Sequence, residues 1–201
     1  MLELGDSIAM TSLDLAKKLQ ARFGDLLPER TEFRDEITME LADPESIVEV
    51  CAFAKNELGF DYLTDVSSMD NYGDDPRWTI VYHFYGLGHH CHLRLKTDVS
   101  EEKSELPTVT GVWRTADWHE REIYDMMGIR FRGHPDLRRI LMWDGYPYFP
   151  LRKDFPLGGK PSEMPDVAFS KTAPLEGGPF VTAPGGRDAI EREPRVRTPE
   201  N

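Results

Sequence analysis

Cysteine is nearly missing from this chain: Cys51 and Cys91 are the only two among 201 residues, and they lie forty positions apart. Iron–sulfur clusters are normally held by four thiolates, so this chain is not expected to carry one in the usual way. A disulfide is not expected in a reducing compartment, and both cysteines read as small buried residues. Long apolar runs are also lacking. None approaches the roughly 18 residues a spanning helix needs. The opening stretch MLELGDSIAM has neither a basic start nor an extended apolar run, so it does not read as a secretion signal, and a cytosolic placement is expected. Positive charge is in deficit, with 24 Lys and Arg against 36 Asp and Glu and a net charge of -12. That argues against a nucleic-acid partner, which requires clustered cations. No Walker A run and no GxGxxG is present, and Gly86-Leu87-Gly88 alone reads as a tight turn.

What is present is a workable core inside a polar shell: 39% hydrophobic residues, 30% charged residues and a mean hydropathy of -0.51. The length suits one domain with a tail, or two small domains. Thr11 to Phe23 predicts a helix capped by Ser12, with Leu15, Leu19 and Phe23 on one face and Gly24 as its stop. Glu36 to Leu41 alternates, with Ile37, Met39 and Leu41 inward, and predicts a strand. Asp43-Pro44 starts a second helix whose apolar face is Ile47, Val48, Cys51, Ala54 and Leu58, ended by Gly59. Phe60 to Val66 is a further strand, followed by a loop over 67–76. Arg77 to Tyr85 and His89 to Val99 predict a hairpin, with Trp78, Ile80, Tyr82 and Phe84 facing Cys91, Leu93 and Leu95. Ser100 to Glu105 is a charged excursion, Pro107 to Trp113 a returning strand, and a helix follows. The class expected from this order is α+β: a mixed, mostly antiparallel sheet with a few packing helices, then a long extended C-terminal tail. The expected division is an N-terminal helix region at 1–30, a core domain at 31–157, and a Pro/Gly-rich tail at 158–201 that docks on a partner. Prolines recur nine times from Pro150 to Pro199, yet Phe155, Leu157, Met164, Val167, Phe169, Leu175, Phe180 and Val181 are spread along the chain beyond Pro150. That is more apolar side chains than a plain linker carries.

The densest information lies in Trp113 to Pro156, which holds three of the four tryptophans. Residues 113–153 carry eight basic and six acidic side chains, a local +2 on a body that is otherwise -14. Aromatic rings and arginines mixed with carboxylates are the composition of buried protein–protein contacts. On the helix after Asp117, Asp117 and Glu120 form a capping-box-like pair and Gly128 is the stop. Trp118, His119, Ile123, Met126 and Met127 share an arc, and Glu122 falls inside it, so Glu122 is expected to be dehydrated and paired with Arg130, Arg132, Arg138 or Arg139. Glu120 and Glu122 point about 200° apart and do not flank one bond as an acid/base pair. Arg121 and Asp125 are spaced for a surface pair. Gly133 to Leu141 reads as a turn into a short helix, with His134 structural rather than catalytic. Tyr146-Pro147-Tyr148-Phe149-Pro150 enforces an extended, ring-bearing path. His83, His90 and His92 have a spacing that could hold zinc across the hairpin, although an ordinary hairpin surface accounts for them better.

Glu120-Arg121-Glu122, Asp125-Met126-Met127, His134, Arg138 and Ile140-Leu141 stand at spacings that together resemble the signature of the 30 kDa subunit, also called the C subunit, of respiratory NADH:quinone oxidoreductase (complex I). Pro150 to Pro156, Val81-Tyr82-His83-Phe84 and the approach Val112 to Trp118 resemble that family too, so the likeness covers roughly residues 35 to 160. Tyr146-Pro147-Tyr148-Phe149 departs from the family, which runs from an Asp-Gly-like turn almost directly into Pro-Leu-Arg-Lys-Asp. The resemblance implies a peripheral-arm subunit with no cofactor of its own, in a heteromultimer that carries FMN and Fe-S clusters in other subunits. Its neighbours would be the quinone-cavity subunit and the terminal-cluster subunit, at the cytoplasmic face of the inner (plasma) membrane. Glu120, Arg121, Glu122 and Asp125 would lock the helix. Arg138, Arg139, Arg152 and Lys153 would meet partner carboxylates, with His134 and Asp154 in the same structural set. On this reading Glu122→Ala is expected to lower assembly. The rivals are an equivalent scaffold in a membrane-bound hydrogenase or other-donor quinone reductase, and a stand-alone His-site metalloprotein.

Overall fold

The computed structural model describes residues 10–158 and Lys160. The chain divides into two units, Met1–Asp144 and Gly145–Asn201. Apart from Gly158 and Lys160, the tail expected at 158–201 lies outside the described residues.

In the first unit, helix α1 (Ser12–Phe23) begins at Thr11, whose hydroxyl accepts from the Asp14 amide while the Asp14 carboxylate answers the Thr11 backbone. Thr11, not Ser12, is therefore the cap, because only Thr11 has the acidic partner three residues on. Gly24 closes the helix at φ 50°. Strands β1 (Glu29–Phe33) and β2 (Glu36–Leu41) form a hairpin turned by Arg34 and Asp35, both at positive φ. Asp43 caps a 3-10 turn at Pro44–Ser46 that leads into α2 (Ile47–Asn56). Its buried face is Ile47, Val50, Cys51 and Ala54; Val50 takes the place expected for Val48, which is exposed.

Strands β3 (Tyr62–Asp70), β4 (Trp78–Gly86) and β5 (Cys91–Val99) follow, and the sheet order is β1-β2-β5-β4-β3. Every neighbouring pair is antiparallel except β2 with β5, so the sheet is mixed and mostly antiparallel, as expected. β3 runs four residues beyond the predicted strand, into the stretch expected to be a loop. Its polar end, Ser67 to Asp70, is held by pairing with Val81 to Trp78. There Asp70 receives Arg77 in two bonds of 2.8 and 3.0 Å, and Arg77 is only 3% exposed.

One sheet face carries Ile37, Met39 and Leu41, then Leu93 and Leu95, then Trp78, Ile80, Tyr82 and Phe84, and packs against Leu15, Leu19, Val50 and Ala54 of the helices. Each such fully buried side chain contributes about 1.5–3 kcal/mol. Strands β6 (Glu105–Pro107) and β7 (Arg130–Arg132) make a separate parallel pair, with helix α3 (Ala116–Met127) between them in sequence. The strand expected over 107–113 ends at Pro107. The chain coils instead, with Trp113 N–H bonded to Val109 O. Trp113 then stacks on Phe84 at 5.1 Å, and its indole N–H reaches Phe60 O.

Candidate docking site

Helix α3 starts without a side-chain cap and stops at Gly128, in the left-handed region at φ 79°. The expected Asp117/Glu120 capping box does not form, because Glu120 turns inward. Its stripe, Ala116, Glu120 and Ile123, is the buried one. Glu120 is fully buried; Oε1 accepts from Val109 N–H at 2.8 Å and Oε2 from the Thr108 hydroxyl at 2.5 Å. Burial is the larger influence and pushes this carboxyl up to about 7 against those two bonds. Cys51 of α2 and Tyr82 of β4 share the surroundings. Burial raises both, and the Glu120 charge adds to the effect.

The His134 side chain is wholly buried beside this carboxylate, with Nε2 3.9 Å from Glu120 and 3.4 Å from Asp117. Nδ1 accepts from the Asp136 amide at 3.0 Å, so Nε2 carries the ring proton. It points at the Asp117 carbonyl, 3.2 Å away. His134 thus fastens the turn after β7 to the first turn of α3.

Asp125 does more of the same work further along. Its carboxylate accepts the amides of Ile140, Leu141 and Met142 at 3.0, 2.7 and 2.8 Å, and Arg139 Nη1 at 2.5 Å. Burial alone would raise this carboxyl, but those four bonds outweigh it and hold it below the ordinary value. The same bonds explain why no short helix forms over 134–141. Amides that a helix would direct to its own carbonyls are aimed at one carboxylate instead. Arg121 Nε and Nη2 donate to the carbonyls of Arg138 and Arg139, each at 3.1 Å. The expected Arg121–Asp125 pair is therefore replaced by two separate clamps on one arch, residues 138–142.

Glu122 does not sit in a dehydrated arc; it is exposed, as is Trp118 at 62%. Glu120 and Glu122 point to opposite sides of α3, one into the core and one into solvent. Of the expected carboxylate-seeking cations, Arg139 is engaged by Asp125, and Arg138 is mostly exposed beside Asp136 at 2.8 Å. An exposed pair of that kind contributes little. Leu141 projects from the arch at 63% exposure.

In the second unit, Arg152 lies over the Phe149 ring at 4.6 Å, and Lys160 over Tyr148 and Phe155 at 4.9 and 5.9 Å. Tyr146 and Tyr148 meet edge to face at 5.7 Å, while Lys153 and Asp154 are exposed. The cations here lie over aromatic rings, a contact that Pro-spaced rings make possible.

His90 is not on a strand with His92. It sits in the hairpin turn at φ 53°, with Nδ1 3.2 Å from the Tyr85 hydroxyl. Among the described residues no group of three or more His, Cys, Asp or Glu gathers as a metal site would require. The sequence reading missed Thr108 and Val109 as partners of Glu120. The only available signal was a carboxylate interrupting an apolar stripe.

The sequence matches the family described as respiratory-chain NADH dehydrogenase, 30 Kd subunit, over residues 41–161. It is 56% identical over 118 residues to the C 2 subunit of NADH-quinone oxidoreductase from Rhizobium meliloti (strain 1021), covering 58% of this chain and 64% of that one, just under two thirds of that relative's length. It is 47% identical over 146 residues to the C subunit of NADH-quinone oxidoreductase from Geotalea uraniireducens (strain Rf4), covering 73% and 88%. Among solved structures it resembles a trypsin-resistant fragment (1-134) of Nqo5, with TM-score 0.55 and 30% identity over 63% of this chain and all of that one. The fold also recurs in an archaeal membrane-bound sulfane sulfur reductase, with TM-score 0.63 at 20% identity over 72% of this chain and 85% of that one.

Proposed function

The chain belongs to the 30 kDa subunit family of the respiratory-chain NADH dehydrogenase, and from that premise we propose that it is a non-redox scaffold subunit in the peripheral arm of a proton-translocating complex. It catalyses no step itself. Electrons pass from NADH through FMN and Fe-S clusters in other subunits to quinone. The chain holds the quinone-cavity and terminal-cluster subunits in register at the cytoplasmic face of the membrane. No described helix is long and apolar enough to cross a bilayer.

The observation that carries this reading is the double clamp on the 138–142 arch. Asp125 and Arg121 together satisfy three amides and two carbonyls there, so an exposed loop is fixed in one shape before any partner arrives. A preorganised surface loses less entropy on binding. Glu120, Asp125 and His134 serve as internal fasteners. Arg138, Arg152, Lys153 and Asp154 meet groups of the neighbouring subunits, Glu122 is a solvent-side charge of α3, and Arg139 acts through Asp125. The tail at 158–201 runs along partner surfaces.

The test is to purify the tagged full-length chain from detergent-solubilised membranes. Co-elution with flavin, iron and NADH:quinone reductase activity is expected. Elution of the chain alone, from membranes that retain that activity, would overturn the proposal.

A further inference from the structure

The Glu120 carboxyl joins three segments. Oε1 takes the Val109 amide and Oε2 the Thr108 hydroxyl, which ties the coil 108–113 to α3. The Thr108 hydroxyl extends the contact, pairing with the Thr110 hydroxyl at 2.9 Å and accepting the Thr110 amide at 3.1 Å. On the other side stands His134 Nε2, 3.9 Å from Oε2, in the turn that runs on into the 138–142 arch. Asp117 Oδ1 is buried there too, 3.4 Å from the same nitrogen, and makes no hydrogen bond.

Nothing around this carboxyl is ready to balance a negative charge. The titratable side chains that face it are Cys51 from α2, Tyr82 from β4, Asp117 from its own helix and His134. The first three are acids, and the Asp117 charge opposes ionisation of Glu120. Among the described residues the imidazole is its one ion-pair neighbour. A second proton on that ring would displace the Asp136 amide from Nδ1. A buried carboxylate without a cation is costly, whereas the protonated group is an ordinary hydrogen-bonding partner. The coil 108–113 and the turn 133–137 contain neither helix nor strand. They therefore open at lower cost than the sheet.

We propose that Glu120 is a proton-operated latch: neutral, it holds the coil 108–113 and the turn 133–137 against α3, and ionised, it lets those two segments open together while the five-stranded sheet stays folded. The proton lost from Oε2 goes to the solvent that the opening admits. Closed, the carboxyl titrates at about 7; opened to water, it returns to the ordinary 4.5. Opening therefore releases a proton and becomes easier as pH rises. From pH 5.5 to pH 8 these two values raise the opening equilibrium about twenty- to thirtyfold. The latch is a property of this chain and stands apart from the reading of its partners.

The test is amide hydrogen exchange of the full-length chain, resolved by NMR from pH 5.5 to 8 at several low urea concentrations. Glu120→Gln is measured alongside. The Val109 amide is bonded to Glu120 itself and the Asp136 amide to His134. After correction for intrinsic exchange rates, the opening equilibria at Val109, Thr110 and Asp136 should rise together by that factor. Their urea dependence should be weak, because a local opening exposes little surface. Leu93 and Leu95, on the inner strand β5, should exchange more slowly and with the full urea dependence of global unfolding. In Glu120→Gln the rise with pH should vanish. Exchange at Val109, Thr110 and Asp136 with the same urea dependence as Leu93 and Leu95 would mean that the segments open only when the whole chain unfolds, and would refute the latch. A rise that persists in Glu120→Gln, or that appears at Val109 and not at Asp136, would refute it as well. The wild-type pH and urea series decides the question even without the variant.

Discussion

Replacing Glu120 by Gln probes the buried carboxylate directly. In the folded chain this group is raised from an ordinary value of 4.5 to about 7, with burial as the main cause. A shift of that size corresponds to roughly 3 kcal/mol, at about 1.4 kcal/mol per unit. Between those two values the native state binds more protons than the unfolded state, so stability falls as pH rises. The contribution is complete below about 4.5 and is lost on passing through about 7. Gln is neutral at every pH and nearly isosteric. Its carbonyl accepts from the Val109 amide and its amide donates to the Thr108 hydroxyl, so both contacts survive. Urea unfolding of the free chain and the Gln variant at pH 5, 6, 7 and 8 should give curves that nearly meet at pH 5. By pH 8 the variant should be the more stable by up to about 3 kcal/mol. Titrating groups remote from Glu120 cancel in the difference between the two proteins. A stability difference that stays constant across this range, or a variant that loses stability relative to wild type as pH rises, would refute the argument that Glu120 is desolvated.

Asp125→Asn should cost roughly 3–5 kcal/mol in denaturant unfolding, because three amides and a guanidinium lose their shared charge. Since the Asp125 carboxyl is held below its ordinary 3.8, its contribution is present above that value and is lost as pH falls through the depressed one. The gap between wild type and variant should therefore shrink on acidification. Gly86→Ala should cost about 1–3 kcal/mol and lower Tm by several degrees, since the new methyl would sit 2.9 Å from the Gly59 carbonyl oxygen. Gly88→Ala, with nothing within 4 Å of its new carbon, should stay within about 0.5 kcal/mol of wild type.

The β4–β5 hairpin was legible in the sequence because alternation along Trp78 to Phe84 is matched by Cys91, Leu93 and Leu95, and one face is wholly buried. Strand β1 was not legible. All five of its residues are exposed, so it leaves no periodic trace, and its one strand partner is β2. The stretch 108–113 was misread because its shape is set by Glu120 and Trp113, whose partners lie far away in sequence. Helix α3 itself was found, and Ile123 and Met126 of its expected arc are buried, but treating Trp118 as core shifted the stripe and put Glu122 where Glu120 belongs. The loss expected of Glu122→Ala therefore transfers to Asp125, whose amide partners local periodicity does not reveal.

The most direct test of the central claim is hydroxyl-radical footprinting of Trp118 and Leu141 in the intact complex and in the free chain, with Trp78, fully buried in the fold, as the internal reference. If the clamped face is covered by a neighbouring subunit, Trp118 should react readily in the free chain and fall to the level of Trp78 in the complex. Equal reactivity of Trp118 in the two states would contradict the account.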